Sequence, residues 1–146
     1  MEATTATTTI RATPAEVMAV IADLPAYPEW SDGVVAAEVL EEDSQGRPRT
    51  ARMRMLVGPV NETFELHYEW GEDSVEWELT SGGLISQLRG RYQCVATDDD
   101  ATEVTYDLRL ELALPMIGTV RQRGERHILN SALRGLRRQV EAAPAG

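Results

Sequence analysis

PMIGTVRQRGERHILNSALRGLRRQV, residues 115–140, is the one segment long enough to cross a domain as a helix: at roughly 1.5 Å per residue it would reach about 39 Å. Pro115 suits a helix start. In its second half Leu129, Ala132, Leu133, Leu136 and Val140 form an apolar stripe at helical spacing, enough to hold that half against a sheet. In its first half the stripe is broken by Gly118, Arg121, Gly124 and Glu125, the two charged residues being one turn apart and able to pair. The expectation is a helix clamped at Leu129 to Val140, with Met116 to Ile128 acting as a lid over space.

Upstream, residues 34–114 alternate with a period near two, and the turns set registers that test one another. Gly58-Pro59 as a two-residue turn pairs Met55 with Glu62, Met53 with Phe64, Ala51 with Leu66 and, on the other face, Arg52 with Glu65. Gly71 to Ser74 then sets Trp70 against Val75, Tyr68 against Trp77 and Leu66 against Leu79. Gly82-Gly83 sets Leu79 against Ser86, Trp77 against Leu88 and Val75 against Gly90. A turn at Asp98-Asp99-Asp100 sets Cys94 against Val104 and Tyr92 against Tyr106. All four hairpins agree on one inward face carrying Phe64, Tyr68, Trp70, Trp77, Tyr92 and Tyr106, while Arg52, Arg54, Glu65, His67, Glu76, Glu78, Arg89 and Arg91 point out. An antiparallel sheet with one buried and one wet face follows. A slip of one residue at Ser81-Gly82-Gly83 would instead turn Gln87, Arg89 and Arg91 inward.

At the N-terminal side, Thr4 to Arg11 is a β-branched run that reads as a strand. Thr13-Pro14-Ala15-Glu16 is a helix start with a capping box, and the helix is expected over Pro14 to Asp23. Two prolines in Leu24-Pro25-Ala26-Tyr27-Pro28-Glu29-Trp30 stop it and permit one further turn, a corner that folds Tyr27 and Trp30 over something apolar.

The 146 residues fit one domain, 1–146, with loose ends at 1–3 and 142–146. The start lacks a basic, apolar leader and no window reaches the roughly 20 apolar residues of a membrane span, so a cytoplasmic protein without integral membrane contact is expected. A net charge of −10 disfavours nucleic acid as a partner. Residues 115–140 nevertheless hold six arginines and one acid, a basic helix in an acidic body. Either the two attract each other within the molecule, or the helix docks on a partner. Lysine is absent, as coding bias in a GC-rich genome would produce. The single cysteine, Cys94, rules out an internal disulfide. His67 and His127 lack a carboxylate at ligand spacing, so no metal and no cofactor is expected.

The order of strand, helical corner, antiparallel sheet and long last helix, with TPAEVMAVIADLPAYPEW at 13–30, LRGRYQCVA at 88–96 and TEVTYDLRLEL at 102–112, resembles the START-like helix-grip superfamily, in particular its bacterial polyketide cyclase/dehydrase and lipid-transport branch. The resemblance implies an α+β fold in which a curved antiparallel sheet of about seven strands wraps the last helix, with two short helices after the first strand. It also implies a cavity between sheet and helix for a lipid, polyketide or quinone-like molecule. Asp23, Tyr27 and Trp30 match the family's corner, and Gly90 with Tyr92 its small-then-aromatic strand, where bulk at Gly90 would fill the cavity. The family has no fixed catalytic set, and none is carried over.

The candidate ligand-binding residues are Tyr27, Trp30, Met53, Met55, Glu62, Phe64, Tyr68, Trp77, Leu88, Gly90, Tyr92, Tyr106, Leu108, Arg121, Gly124, Glu125 and Ile128. Each has a plainer reading as core or surface. Glu62 is either an inward general acid or base or a rim carboxylate, and Arg121 with Glu125 is either a polar gate or a surface ion pair. Buried Tyr68, Tyr92 and Tyr106 each bring a hydroxyl in need of a partner. The function expected is binding of a lipophilic small molecule by a carrier or sensor, monomeric or weakly dimeric. A cyclase/dehydrase-type enzyme and a partner-docking protein are the alternatives.

Overall fold

A computed structural model describes residues 3–57, 60–97, 99–114 and 118–142. The chain runs β1 (Thr4–Ile10), α1 (Pro14–Ala22), a 3-10 turn (Leu24–Ala26), α2 (Tyr27–Trp30), β2 (Val34–Glu42), β3 (Pro48–Val57), β4 (Val60–Trp70), β5 (Ser74–Ser81), β6 (Ile85–Ala96), β7 (Thr102–Leu112) and α3 (Gly118–Ala142). The strands form one antiparallel sheet in the order β1-β7-β6-β5-β4-β3-β2. This is the helix-grip fold: α3 packs against β1 and β7, and the α1–α2 corner against α3 and β2.

Local chemistry accounts for the element ends. The Thr13 hydroxyl accepts from the Glu16 N–H at 3.2 Å while the Glu16 carboxylate accepts from the Thr13 N–H at 3.1 Å, the reciprocal capping box. The helix ends at Ala22, one residue short of Asp23, where Pro25 forces a tighter turn. Strand β1 likewise stops at Ile10, not Arg11. Helix α3 is described from Gly118 and continues two residues past Val140; Pro115 and Met116 lie outside the described residues, as do Gly58-Pro59 and Asp98.

Three hairpin registers are as the turns dictate: Met55 faces Glu62 and Met53 faces Phe64, Tyr68 faces Trp77, and Tyr92 faces Tyr106. The β5–β6 register differs. Trp77 pairs with Gly90 and Val75 with Tyr92, a shift of two residues from the Gly82-Gly83 expectation. The connection from Gly82 to Leu84 is longer than a two-residue turn, and a bulge precedes it where Glu65 pairs with Ser81. An even shift leaves the faces unchanged, so Gln87 and Arg89 stay exposed.

The core lies between the concave face and α3, with Leu129 and Leu136 fully buried and Leu133 and Val140 nearly so. Gly135 permits a close crossing: a Cβ there would stand 1.8 Å from the Trp30 carbonyl oxygen, so the α2 corner rests directly on the α3 backbone. Among the described residues the α3 arginines make no ion pair with the acidic body. Arg121 pairs with Glu125 at 2.9 Å and Arg137 with Glu141 at 3.5 Å, both within the helix. Arg123, Arg126, Arg134 and Arg138 are exposed and have no ion pair among the described residues.

Candidate functional site

Alternation along β3 to β7 aims every second side chain inward, and these side chains meet around a small space. Met53, Met55, Phe64, Leu66, Tyr68 and Trp77 line it from β3, β4 and β5. Leu88, Tyr92, Tyr106, Leu108 and Leu110 line it from β6 and β7, Ile128 and Ala132 from α3, and Tyr27, Ser31, Asp32 and Val34 from the corner. The cavity measures about 50 Å³, room for a few water molecules and well short of a pocket for a drug-sized ligand. An open cavity under the first half of α3 is therefore not what the chain builds. The space lies under the middle of the helix, and aromatic rings occupy most of it. Tyr92 and Tyr106 have ring centroids 4.4 Å apart, and Trp77 sits 5.4 to 6.0 Å from Tyr92, Tyr106 and Tyr68.

Apart from Ser31 and Asp32 at the corner, the polar content of this space is mainly phenolic. The Tyr27 hydroxyl donates to the Ile21 carbonyl at 2.5 Å. The hydroxyls of Tyr68, Tyr92 and Tyr106 have no hydrogen-bond partner among the described residues. Burial pushes all four phenols above their ordinary range, Tyr27, Tyr68 and Tyr92 further through the neighbouring tyrosines. They are neutral at physiological pH and can act as hydrogen-bond donors. Asp32, exposed at the corner, is the one carboxylate among the lining residues, and no arginine, lysine or histidine lines the cavity among the described residues. Cys94 is buried with its thiol 3.8 Å from the Met18 sulfur, and burial pushes it up to about 12, too high for a thiolate nucleophile.

Six expected lining residues lie elsewhere. The half-buried Glu62 carboxylate accepts from the backbone N–H groups of Gly83 at 3.0 Å, Leu84, and Ile85 at 2.9 Å, so it holds the β5–β6 loop. Gly90 makes room for Trp77, not for a ligand: a Cβ there would stand 2.2 Å from the indole ring. Trp30 packs on α3 beside Gly135. Gly124 is exposed, with nothing within 4 Å of where its Cβ would be. Glu125 is fully buried and accepts from the Thr4 hydroxyl at 2.6 Å, the Leu110 N–H at 2.7 Å and Arg121 at 2.9 Å. Arg121 and Glu125 are thus neither gate nor surface pair; they fasten the first half of α3 to β1 and β7.

The lining residues absent from the sequence expectation are Ser31, Asp32, Val34, Leu66, Leu110 and Ala132. Leu66 and Leu110 share the inward parity and were legible. Ser31 and Asp32 belong to an irregular connection whose direction no periodicity encodes.

Comparison with solved structures finds the same fold at low identity. A START superfamily protein from Mycobacterium smegmatis is 21% identical, with 96% of this chain and 97% of that one covered at a TM-score of 0.90. A protein from Thermus thermophilus is 20% identical over 99% and 100%, TM-score 0.84. The Zhui aromatase/cyclase from a Streptomyces species is 16% identical over 99% of each chain, TM-score 0.77. No curated protein matches. Residues 10–137 match the family described as polyketide cyclase / dehydrase and lipid transport, and the chain belongs to that family.

Proposed function

We propose that the protein binds a lipophilic small molecule carrying hydroxyl or keto oxygens, as a carrier or sensor, in the space bounded by Tyr68, Trp77, Tyr92, Tyr106 and Ile128. The observation that carries this reading is the set of three tyrosine hydroxyls without a partner among the described residues, in a mostly apolar lining. A hydroxyl that opens onto such a space can hydrogen-bond a ligand oxygen, a contact worth about 0.5–1.5 kcal/mol net. A ligand with oxygens at those positions would make these bonds, while its rings or chain would replace the contacts among the aromatic side chains. No hydrogen bond among the described residues tethers the three phenols, so a ligand that displaces one of these rings exchanges packing contacts and breaks no hydrogen bond. A flexible poly-ketone folded against them would be in cyclase geometry, with neutral phenols as proton donors and Asp32 as the available base.

The test compares 2-naphthol with its isostere 2-methylnaphthalene by calorimetry. The expected result is about tenfold tighter binding of the naphthol, roughly 1.4 kcal/mol, with the preference lost in the Tyr68→Phe/Tyr92→Phe/Tyr106→Phe variant. Failure of both compounds to bind, together with a bare chain in native mass spectrometry of protein from its own host, would overturn the reading.

A further inference from the structure

A second recess lies on the other side of the Ser31-Asp32 connection. It is about 260 Å³ in volume, bounded by Pro28, Glu29, Trp30 and Asp32 from the corner and by Ser131, Arg134 and Arg138 from α3. Its donors are concentrated and unpaired. The Trp30 indole N–H is buried, in a side chain 5% exposed, and has no acceptor among the described residues. Ser131 is 7% exposed, and its hydroxyl has no hydrogen-bond partner among the described residues. Arg134 and Arg138, one helical turn apart, have no ion pair there either. Glycine at 135 brings the two elements together: the Trp30 carbonyl rests on the helix backbone, and the side chains of Arg134, Ser131 and Arg138 start one residue before, four before and three after that contact. Two acids, Glu29 and Asp32, line the same recess, and neither forms an ion pair with the guanidinium groups.

We infer that this recess between α2 and α3 binds an oxyanion, a phosphate or carboxylate held by Arg134 and Arg138 with the Ser131 hydroxyl as a further donor. Planar guanidinium groups match the oxygens of such an ion in pairs, and the Ser131 hydroxyl adds a partner without adding charge. Glu29 and Asp32 oppose a bare anion but accept from a protonated phosphate oxygen. The oxyanion has two sources: it is free in solution, or it is the head of an amphiphile whose apolar part enters the cavity past Asp32, which borders both spaces. The second source rests on the binding reading above; the first does not.

The full chain is titrated with inorganic phosphate, octyl phosphate and octanol, and octanol alone reports on the cavity. Arg134→Gln/Arg138→Gln is compared with Arg123→Gln/Arg126→Gln, which removes the same charge from the same helix outside the recess. If the site takes free anions, inorganic phosphate binds and the first variant weakens it at least tenfold while the second does not. If it reads a ligand head, octyl phosphate binds at least tenfold tighter than octanol and only the first variant removes that advantage. Asp32→Asn tightens binding in either case. Equal losses in both double variants, or phosphate and octyl phosphate binding unaffected by Arg134 and Arg138, overturn the inference. Loss of octanol binding alone counts against the cavity reading and leaves the phosphate arm intact.

Discussion

All four tyrosines of the chain, Tyr27, Tyr68, Tyr92 and Tyr106, are buried in one neighbourhood, and burial raises every one. The folded state keeps these protons to higher pH than the unfolded chain, whose phenols ionise near pH 10. Stability from this source is therefore complete below pH 10 and falls above it, by up to about 1.4 kcal/mol per tyrosine for each pH unit. Absorbance at 295 nm should show no phenolate until the protein unfolds, then all four at once. A tyrosine titrating near pH 10 in the folded protein would contradict this burial. Inward orientation of Tyr68, Tyr92 and Tyr106 was legible because alternation and hairpin parity survive even the two-residue error at β5–β6. Their lack of partners was not, since a hydroxyl meets or misses an acceptor through contacts between distant strands. Gly90 shows the same limit. A small residue opposite an aromatic can leave a cavity or receive a ring, and here the Trp77 indole fills the space.

The sequence of α3 reads as a clamped half and a loose half, yet the first half is tied by a carboxylate. Glu125 has both oxygens engaged, Oε1 by Thr4 and Arg121 and Oε2 by the Leu110 N–H. One side chain thus joins α3 to both β1 and β7. Glu125→Gln would leave the nearly buried Arg121 without its counter-charge. Removing one member of a buried pair costs about 3 kcal/mol, which for a chain of this size lowers Tm by roughly 6–12 °C. Urea and thermal unfolding measure both, and an unchanged Tm would show that the fastening contributes nothing. The spacing of Arg121 and Glu125 made their pairing legible. Their burial was not, because the edge strand that covers them lies more than a hundred residues earlier in the chain.

At the scale of the molecule, the sheet is unequal across its width. Strands β6 and β7 pair without interruption from Gln87–Glu111 to Ala96–Thr102 and have neighbours on both sides, whereas β2 is an edge strand with three register irregularities against β3. Native-state hydrogen exchange should find β2 opening at lower free energy, its amides exchanging at least about tenfold faster than those of β6 and β7. Uniform protection across the sheet would contradict that expectation. The helix-grip architecture itself was determined by the sequence: a period of two over residues 34–114, a capping box at Thr13, a proline corner and one long amphipathic helix are local signals, and parity carries them to a single inward face. Only the tertiary structure decided that the last helix, met first as a lid over open space, is fastened along both halves, that rings occupy most of the room beneath it, and that a second, donor-rich recess lies beside the corner. The reason is physical. Periodicity states which way a side chain points, whereas the volume left between facing surfaces depends on how closely two backbones approach, and at Gly135 against Trp30 that distance exists only once the chain is folded.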